Sequence, residues 1–183
     1  MSTEHGLSIY VETDRHKILF DSGQSNAFIK NAETLGINLE EIDTAVLSHG
    51  HYDHSGGWKG FLKVNQKAEI YMQRGVFIPH YNSLGKYIGV DPLLQQSSRI
   101  HYVDDSLEID DELKLETYHD CPVFFPVQTY GMTEEHDGIR MADRFLHEQY
   151  LIVTEGSQKV LLSGCSHRGI YNIIQWAADE QVQ

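Results

Sequence analysis

Cysteine is scarce in this 183-residue chain, with Cys121 and Cys165 the only two. Two thiols cannot build a disulfide framework, so a reducing compartment is expected. Proline is also scarce, and no Pro/Gly/Ser-rich stretch or internal repeat divides the chain. A single domain over 1–183 is therefore expected. Fourteen Lys+Arg stand against 27 Asp+Glu, which leaves a net charge of −13. With no basic cluster to neutralise phosphates, nucleic acid is not an expected partner, although acidic metal-carrying nucleases escape that argument. No apolar run approaches the about 18 residues of a membrane span. The start, MSTEHGLSIYVETDR, lacks the basic-then-apolar layout of a signal peptide. The expectation is a cytoplasmic protein without a membrane partner. At 40% hydrophobic and 22% charged residues, the composition excludes disordered, collagenous and coiled-coil classes.

What the chain has in excess is histidine, 11 residues against two cysteines. Their placement follows from the local pattern. Leu7–Glu12 and Lys17–Phe20 read as a hairpin about Thr13–His16, which makes His16 a solvated turn residue. Asn26–Leu35 has helical period and is closed by Gly36. Thr44–Ser48 is a short apolar run of the kind found in a strand buried on both faces. A short helix through Val64 follows Gly56-Gly57-Trp58, and Glu69–Met72 is a further strand. Ile100–Val103 and Leu113–Thr117 are strands, Tyr150–Glu155 and Lys159–Leu162 a hairpin, and Gly169–Ala178 an amphipathic helix. The stretch 120–143 shows no period and reads as a long loop of functional kind.

Directly after the buried strand comes Ser48-His49-Gly50-His51-Tyr52-Asp53-His54-Ser55-Gly56-Gly57. Its core is His-x-His-x-Asp-His. Three imidazoles and a carboxylate can converge within six residues only where the backbone turns tightly, which Gly50 and the Gly56-Gly57 pair permit. Neutral imidazoles with one carboxylate form a donor set for zinc, with iron or manganese as alternatives. A merely solvated turn is the bland alternative, and its position at the end of a buried strand argues against it. His80, His101, His119 and His136 have no partner at ligand spacing and read as ordinary histidines. Asp104-Asp105 with Asp110-Asp111-Glu112 reads as a solvated face, because calcium-loop spacing is absent. Tyr81, Tyr87, Tyr118 and Tyr130 are read as packing residues.

The His-x-His-x-Asp-His segment resembles the metal-binding motif of the metallo-β-lactamase fold superfamily, and Leu19-Phe20-Asp21-Ser22-Gly23 resembles that fold's first strand-end motif, with Asp21 as its structural residue. Glu4-His5-Gly6-Leu7-Ser8, Gly23-Gln24-Ser25, Asn31-Ala32 and Gly164-Cys165-Ser166-His167-Arg168-Gly169-Ile170 are similar to one branch. That branch includes the dihydropterin–ribofuranosylaminobenzene phosphate synthases of methanopterin biosynthesis and their bacterial relatives. The resemblance implies an α/β fold, a metallo-β-lactamase-like αββα sandwich, holding one or two zinc ions. It implies His49, His51 and His147 at one ion and Asp53 and His54 at the other. Cys165 stands where most of the superfamily has a bridging aspartate, and a thiolate can ligate zinc. His167 and Arg168 are candidates for metal or substrate, with Arg74 and Lys86 as further phosphate partners.

Relatives usually begin with a further strand and close with a Gly-Gly-Phe-His-like motif that completes the second site. The expectation is therefore a fold lacking the first strand and the C-terminal segment, with self-association through an uncovered sheet edge. The activity implied is hydrolysis or group transfer on a small phosphorylated or pterin-like substrate, with Asp53 orienting the attacking water or taking its proton. The alternatives are a metal-binding but catalytically impaired fragment that needs a partner, and a diiron redox protein. His51 argues against the last, because the diiron branch carries glutamate there.

Overall fold

The computed structural model describes residues 1–180 and 182. In chain order the elements are β1 (Ile9–Glu12), β2 (Lys17–Phe20), α1 (Ala27–Leu35), β3 (Thr44–Leu47), α2 (Tyr52–Ser55), α3 (Trp58–Val64), β4 (Glu69–Gln73), β5 (His80–Tyr81), β6 (Ile100–Val103), β7 (Ser106–Glu108), β8 (Leu113–Glu116), β9 (Thr133–His136), β10 (Ile139–Ala142), β11 (Tyr150–Glu155), β12 (Gln158–Leu162) and α4 (Ile170–Ala177). One sheet has the order β1-β2-β3-β4-β6 and a second the order β12-β11-β8-β7. In the first, β2, β3, β4 and β6 run parallel and only β1 opposes its neighbour. All pairs of the second are antiparallel.

Side chains alternate across a strand, and that sorts the core into layers. Ile18, Phe20 and Val46 face the second sheet and pack with Leu113, Leu115, Leu151 and Val153. Leu19, Ala45, Leu47, Ile70 and Met72 face the other way, toward Phe28, Trp58 and Phe61 of α1 and α3. Trp58 and Phe61 are fully enclosed, and each side chain so buried contributes about 1.5–3 kcal/mol. On the far side of the second sheet, Ile173, Trp176 and Ala177 of α4 pack on Tyr118 and Tyr150. The four layers are the αββα sandwich that the motif resemblance implied. Gly36 ends α1 in the left-handed region, φ 72°, its N–H reaching Ala32 and Glu33 carbonyls. Among the described residues, no helix is long and apolar enough to cross a membrane.

Two expectations are corrected. The stretch 120–143 is not all loop. Asp137 and Gly138 both have positive φ, 50° and 79°, and turn β9 back into β10. β9 in turn pairs with β5, placing His80 opposite Glu134. The remaining loop is tied down by Asn172, which accepts from the Phe124 and Phe125 amides and donates to the Phe125 carbonyl. His16 is not solvated either. Its Nδ1 lies 2.7 Å from Asp43 and its Nε2 2.7 Å from Asp110, which joins the β1–β2 turn to the loop between β7 and β8.

Candidate metal centre

The parallel strands β2 and β3 end side by side, and the loops leaving their carboxyl ends build the site, as open parallel sheets generally do. Asp21, directly after β2, is fully buried with φ 59°. Its carboxylate accepts from Ser48 N at 2.7 Å, Ser48 Oγ at 2.6 Å and His54 Nδ1 at 2.6 Å. Asp21 therefore anchors the end of β3 through two hydrogen bonds and the His54 ring through a third.

These bonds decide where the histidine lone pairs point. The single hydroxyl proton of Ser48 goes to Asp21, so its 2.9 Å contact with His49 Nδ1 is received from the ring. His49 is left with a bare Nε2. His54 donates Nδ1–H to Asp21 and turns Nε2 toward Cys165 Sγ at 3.1 Å. A carboxylate behind each ring, directly or through one hydroxyl, is the arrangement that orients metal-ligating histidines.

Gly50 and Gly56 serve as clearance rather than as conformational freedom. A Cβ on Gly50 would meet the Val76 backbone at 2.8–2.9 Å, and one on Gly56 the Gln24 carbonyl at 2.1 Å. Gly56 itself sits at φ −65°, an ordinary helical value.

His147 arrives from the loop before β11, and its Nδ1 accepts the Gly50 N–H at 2.8 Å. Cys165 and His167 follow β12. Glu148 holds that turn: its carboxylate accepts from the His167 amide at 2.6 Å, the Arg168 amide at 3.1 Å and the Tyr150 hydroxyl at 3.0 Å. The amides of the turn between β12 and α4 are thus already occupied by a carboxylate. The Arg168 guanidinium donates to the Thr117 and Tyr118 carbonyls and stacks 4.4 Å over Trp176. Arg168 is a buried structural residue, contrary to the expectation that it faces substrate. Arg74 pairs with Asp104.

Among the described residues, three groups of side chains bring ligand atoms within 4.8 Å of one another: His51, His80, Asp143 and His147; His49, His54 and Cys165; and His49, His51 and His167. The sequence had read His80 as ordinary and did not single out Asp143. The local signal that was available is Asp137-Gly138, whose turn carries Asp143 back beside His80. Asp53 belongs to none of the groups. Its Oδ2 lies 3.7 Å from His54 Nε2 and 3.3 Å from His5 Nε2. His101 pairs with Glu69, and His136 with Glu134.

The donor set fits a metal ion. Nε2 of His49, His51, His80, His147 and His167 is buried and has no hydrogen-bond partner, a cost of about 1–3 kcal/mol for each unless something occupies it. Burial, then neighbouring histidines, holds His49 and His51 well below the usual histidine range. Burial also lowers His147, and takes His167 down to about 4. These rings are neutral at neutral pH, the charge state that ligation requires. His54 differs. Burial lowers it, but its hydrogen bonds to Asp21 and Cys165 outweigh this and lift it to about 10. A metal ion at that nitrogen would release a proton. Cys165 is the exposed member of the centre, so solvent reaches it from that side.

With its parallel-sheet carboxyl ends, αββα layers and clustered histidines, the chain belongs to the metallo-β-lactamase superfamily, whose family model matches residues 2–168. The structure of Tm1679, described as a metal-dependent hydrolase of the beta-lactamase superfamily, superposes with a TM-score of 0.81 at 32% identity. The match covers 97% of this chain and 65% of that one. An uncharacterized protein of Methanocaldococcus jannaschii is 27% identical over 94% of this chain and 67% of its own. From the same organism, a 7,8-dihydropterin-6-methyl-4-(beta-D-ribofuranosyl)-aminobenzene-5'-phosphate synthase is 26% identical over 94% of this chain and 65% of its own. The chain spans about two thirds of the length of these relatives.

Proposed function

We propose that the protein is a metal-dependent hydrolase or related group-transfer enzyme acting on a small phosphorylated or pterin-like substrate. The observation that carries the metal is the convergence of five buried, partnerless imidazole nitrogens beside a cysteine and a carboxylate. The substrate class is supported by the similarity to the dihydropterin synthase and by the motif resemblance across the chain. His49, His51, His54, His147 and Cys165 would hold one or two zinc ions, with iron or manganese as alternatives. His167 lies against His49 and His51 and could add a donor. A bound divalent ion supplies Lewis acidity, polarising a phosphoryl or carbonyl oxygen and acidifying water.

The chain's own groups do the rest. Asp53, at the edge of the centre with its carboxylate near His54, orients a water or accepts its proton. Asp21 and Ser48 keep the rings of His49 and His54 turned so that their Nε2 atoms face the centre. A second reading, a metal-binding chain that needs a partner or further segment for activity, draws on Asp53 lying outside all three groups of candidate ligands. Self-association and a cytoplasmic location are part of the proposal.

Metal content after purification without added metal tests this reading. One or two equivalents per chain are expected, falling to background in the His49→Ala/His51→Ala double variant. Loaded protein is then assayed on phosphoesters and pterin diphosphates, with activity down about 100-fold or more in the double variant, beyond the cost of losing an outer-shell partner. No bound metal in the wild type would overturn the enzyme reading. Bound metal without turnover would favour the second one.

A further inference from the structure

His80 is buried outright, far from the motif in sequence, and has one ring nitrogen fixed and the other bare. Nδ1 lies 2.9 Å from Asp143 Oδ2, and Nε2 is buried without a partner. Because a carboxylate only accepts, Nδ1 carries the proton and Nε2 the lone pair. Asp143 is itself fully enclosed, its other oxygen accepting from the Phe145 amide at 2.8 Å. A histidine held from behind by a buried carboxylate, with its far nitrogen presented to other imidazoles, is the carboxylate–histidine–metal pattern. The His80 ring centroid is 5.8 Å from that of His51 and 4.0 Å from that of His147.

His147 is in the opposite state. Its Nδ1 lone pair takes the Gly50 N–H, which leaves the proton on Nε2, 3.5 Å from Asp143. Of the two rings beside His51, His80 is already in the ligating tautomer, whereas His147 would ligate through Nε2 only after giving up the Gly50 contact and moving its proton to Nδ1.

We propose that His80, aligned by Asp143, is a metal ligand, and that with His51 it defines an ion position separate from the one at His49, His54 and Cys165. The inference rests on the metal-dependent reading above. The two positions differ in donor chemistry. The His80 position offers imidazole nitrogen and no sulfur and suits zinc, cobalt, iron or manganese, whereas a thiolate biases the other toward zinc. β5 exists to carry this ligand: two residues long, it pairs with β9 and so brings His80 to the strand whose hairpin partner leads into Asp143.

The test is titration of the chelator-stripped full chain with Co²⁺ and Zn²⁺, reading bound metal per chain and the near-ultraviolet thiolate-to-cobalt absorption. Two equivalents are expected for the wild type. His80→Gln should bind one and keep the thiolate band, and Cys165→Ser should bind one and lose it. Asp143→Asn should weaken one equivalent about 10–100-fold. Should His80→Gln fail to fold by circular dichroism, Asp143→Asn decides alone, and unchanged affinity there overturns the assignment. Two equivalents of unchanged affinity in a folded His80→Gln also overturn it, as does a single wild-type ion indifferent to His80. Those results leave the metal-dependent function standing. A wild type that binds nothing removes both.

Discussion

Two histidine environments in one molecule make an instructive comparison. At one end of the sandwich, His16 has both ring nitrogens on carboxylates, Asp43 and Asp110, and nothing about it is left open. At the carboxyl end of β3, His49 and His80 each have one nitrogen engaged and one buried without a partner. Both environments are acid-lined, yet only the second leaves a ring nitrogen open. What distinguishes His16 from His49 and His80 is the state of the second ring nitrogen, since carboxylates lie near both environments.

The largest effect should come from breaking the lining of the metal end. Asp21→Ala removes the acceptor for two Ser48 donors and His54 and leaves a buried imidazole unpaired, at a cost of about 3–5 kcal/mol. Metal affinity should fall about 10–100-fold with it. Denaturant unfolding and a metal titration read the two losses. A wild-type metal affinity in this variant would show that the lone pairs are directed by something other than Asp21.

A smaller loss is expected from Glu148→Ala, which strips the His167 and Arg168 amides and the Tyr150 hydroxyl of their acceptor. Burial lifts the Glu148 carboxyl above its ordinary range, so part of its contribution is already spent on desolvation. About 2–3 kcal/mol is expected, a drop in melting temperature of roughly 4–12 °C for a chain of this size. A melt unchanged within a degree would mean that the turn carrying Cys165 and His167 is held from elsewhere.

The smallest effect belongs to the clamp. His16→Gln should cost about 1 kcal/mol, because Asp43 and Asp110 are partly solvated and the pairs are screened. Its pH dependence gives it away. Burial lowers the His16 pKa, but the hydrogen bonds to Asp43 and Asp110 more than offset that and raise it above 6.5. Burial likewise opposes ionisation of Asp43 and Asp110, and their hydrogen bonds, with the Lys17 amide first for Asp43 and His16 first for Asp110, hold both below 3.8. The histidine's contribution is therefore full below about 6.5 and is lost as pH rises through its raised pKa. The carboxylates' contributions are full above about 4 and are lost as pH falls through their lowered values. The stability gap between wild type and His16→Gln should be widest between about pH 4 and 6.5 and narrow as pH rises through the raised His16 pKa, measured with saturating metal so that the site does not move. A gap independent of pH would mean that His16 contributes packing alone.

Local pattern was enough where one short stretch carries both the signal and its consequence. The apolar run ahead of Ser48 reads as a doubly buried strand because it is one, and the motif behind it needs no distant partner to be noticed. Gly36 announces the end of α1 for the same reason. The hairpin of β9 and β10 escaped because Thr133–His136 and Ile139–Ala142 are mostly polar or exposed and show no alternation against a core. Its only mark was Asp137-Gly138. Arg168 was misread because a cation at a helix start is a fair phosphate partner until its guanidinium is seen to hold two carbonyls. His16 was misread because Asp43 and Asp110 lie 27 and 94 residues away.

By itself the sequence determined the alternation that sorts the layers, the strand that ends in the His-x-His-x-Asp-His turn, and the presence of metal-ligating chemistry. All of these depend on residues within a few positions of one another. Only the tertiary structure decided which nitrogen of each ring is free, that Asp21 and Asp143 stand behind His54 and His80, and that Glu148 holds the amides of the turn before α4. Those outcomes depend on where single protons go among groups joined by strand pairing, and neither periodicity nor composition encodes the position of a proton.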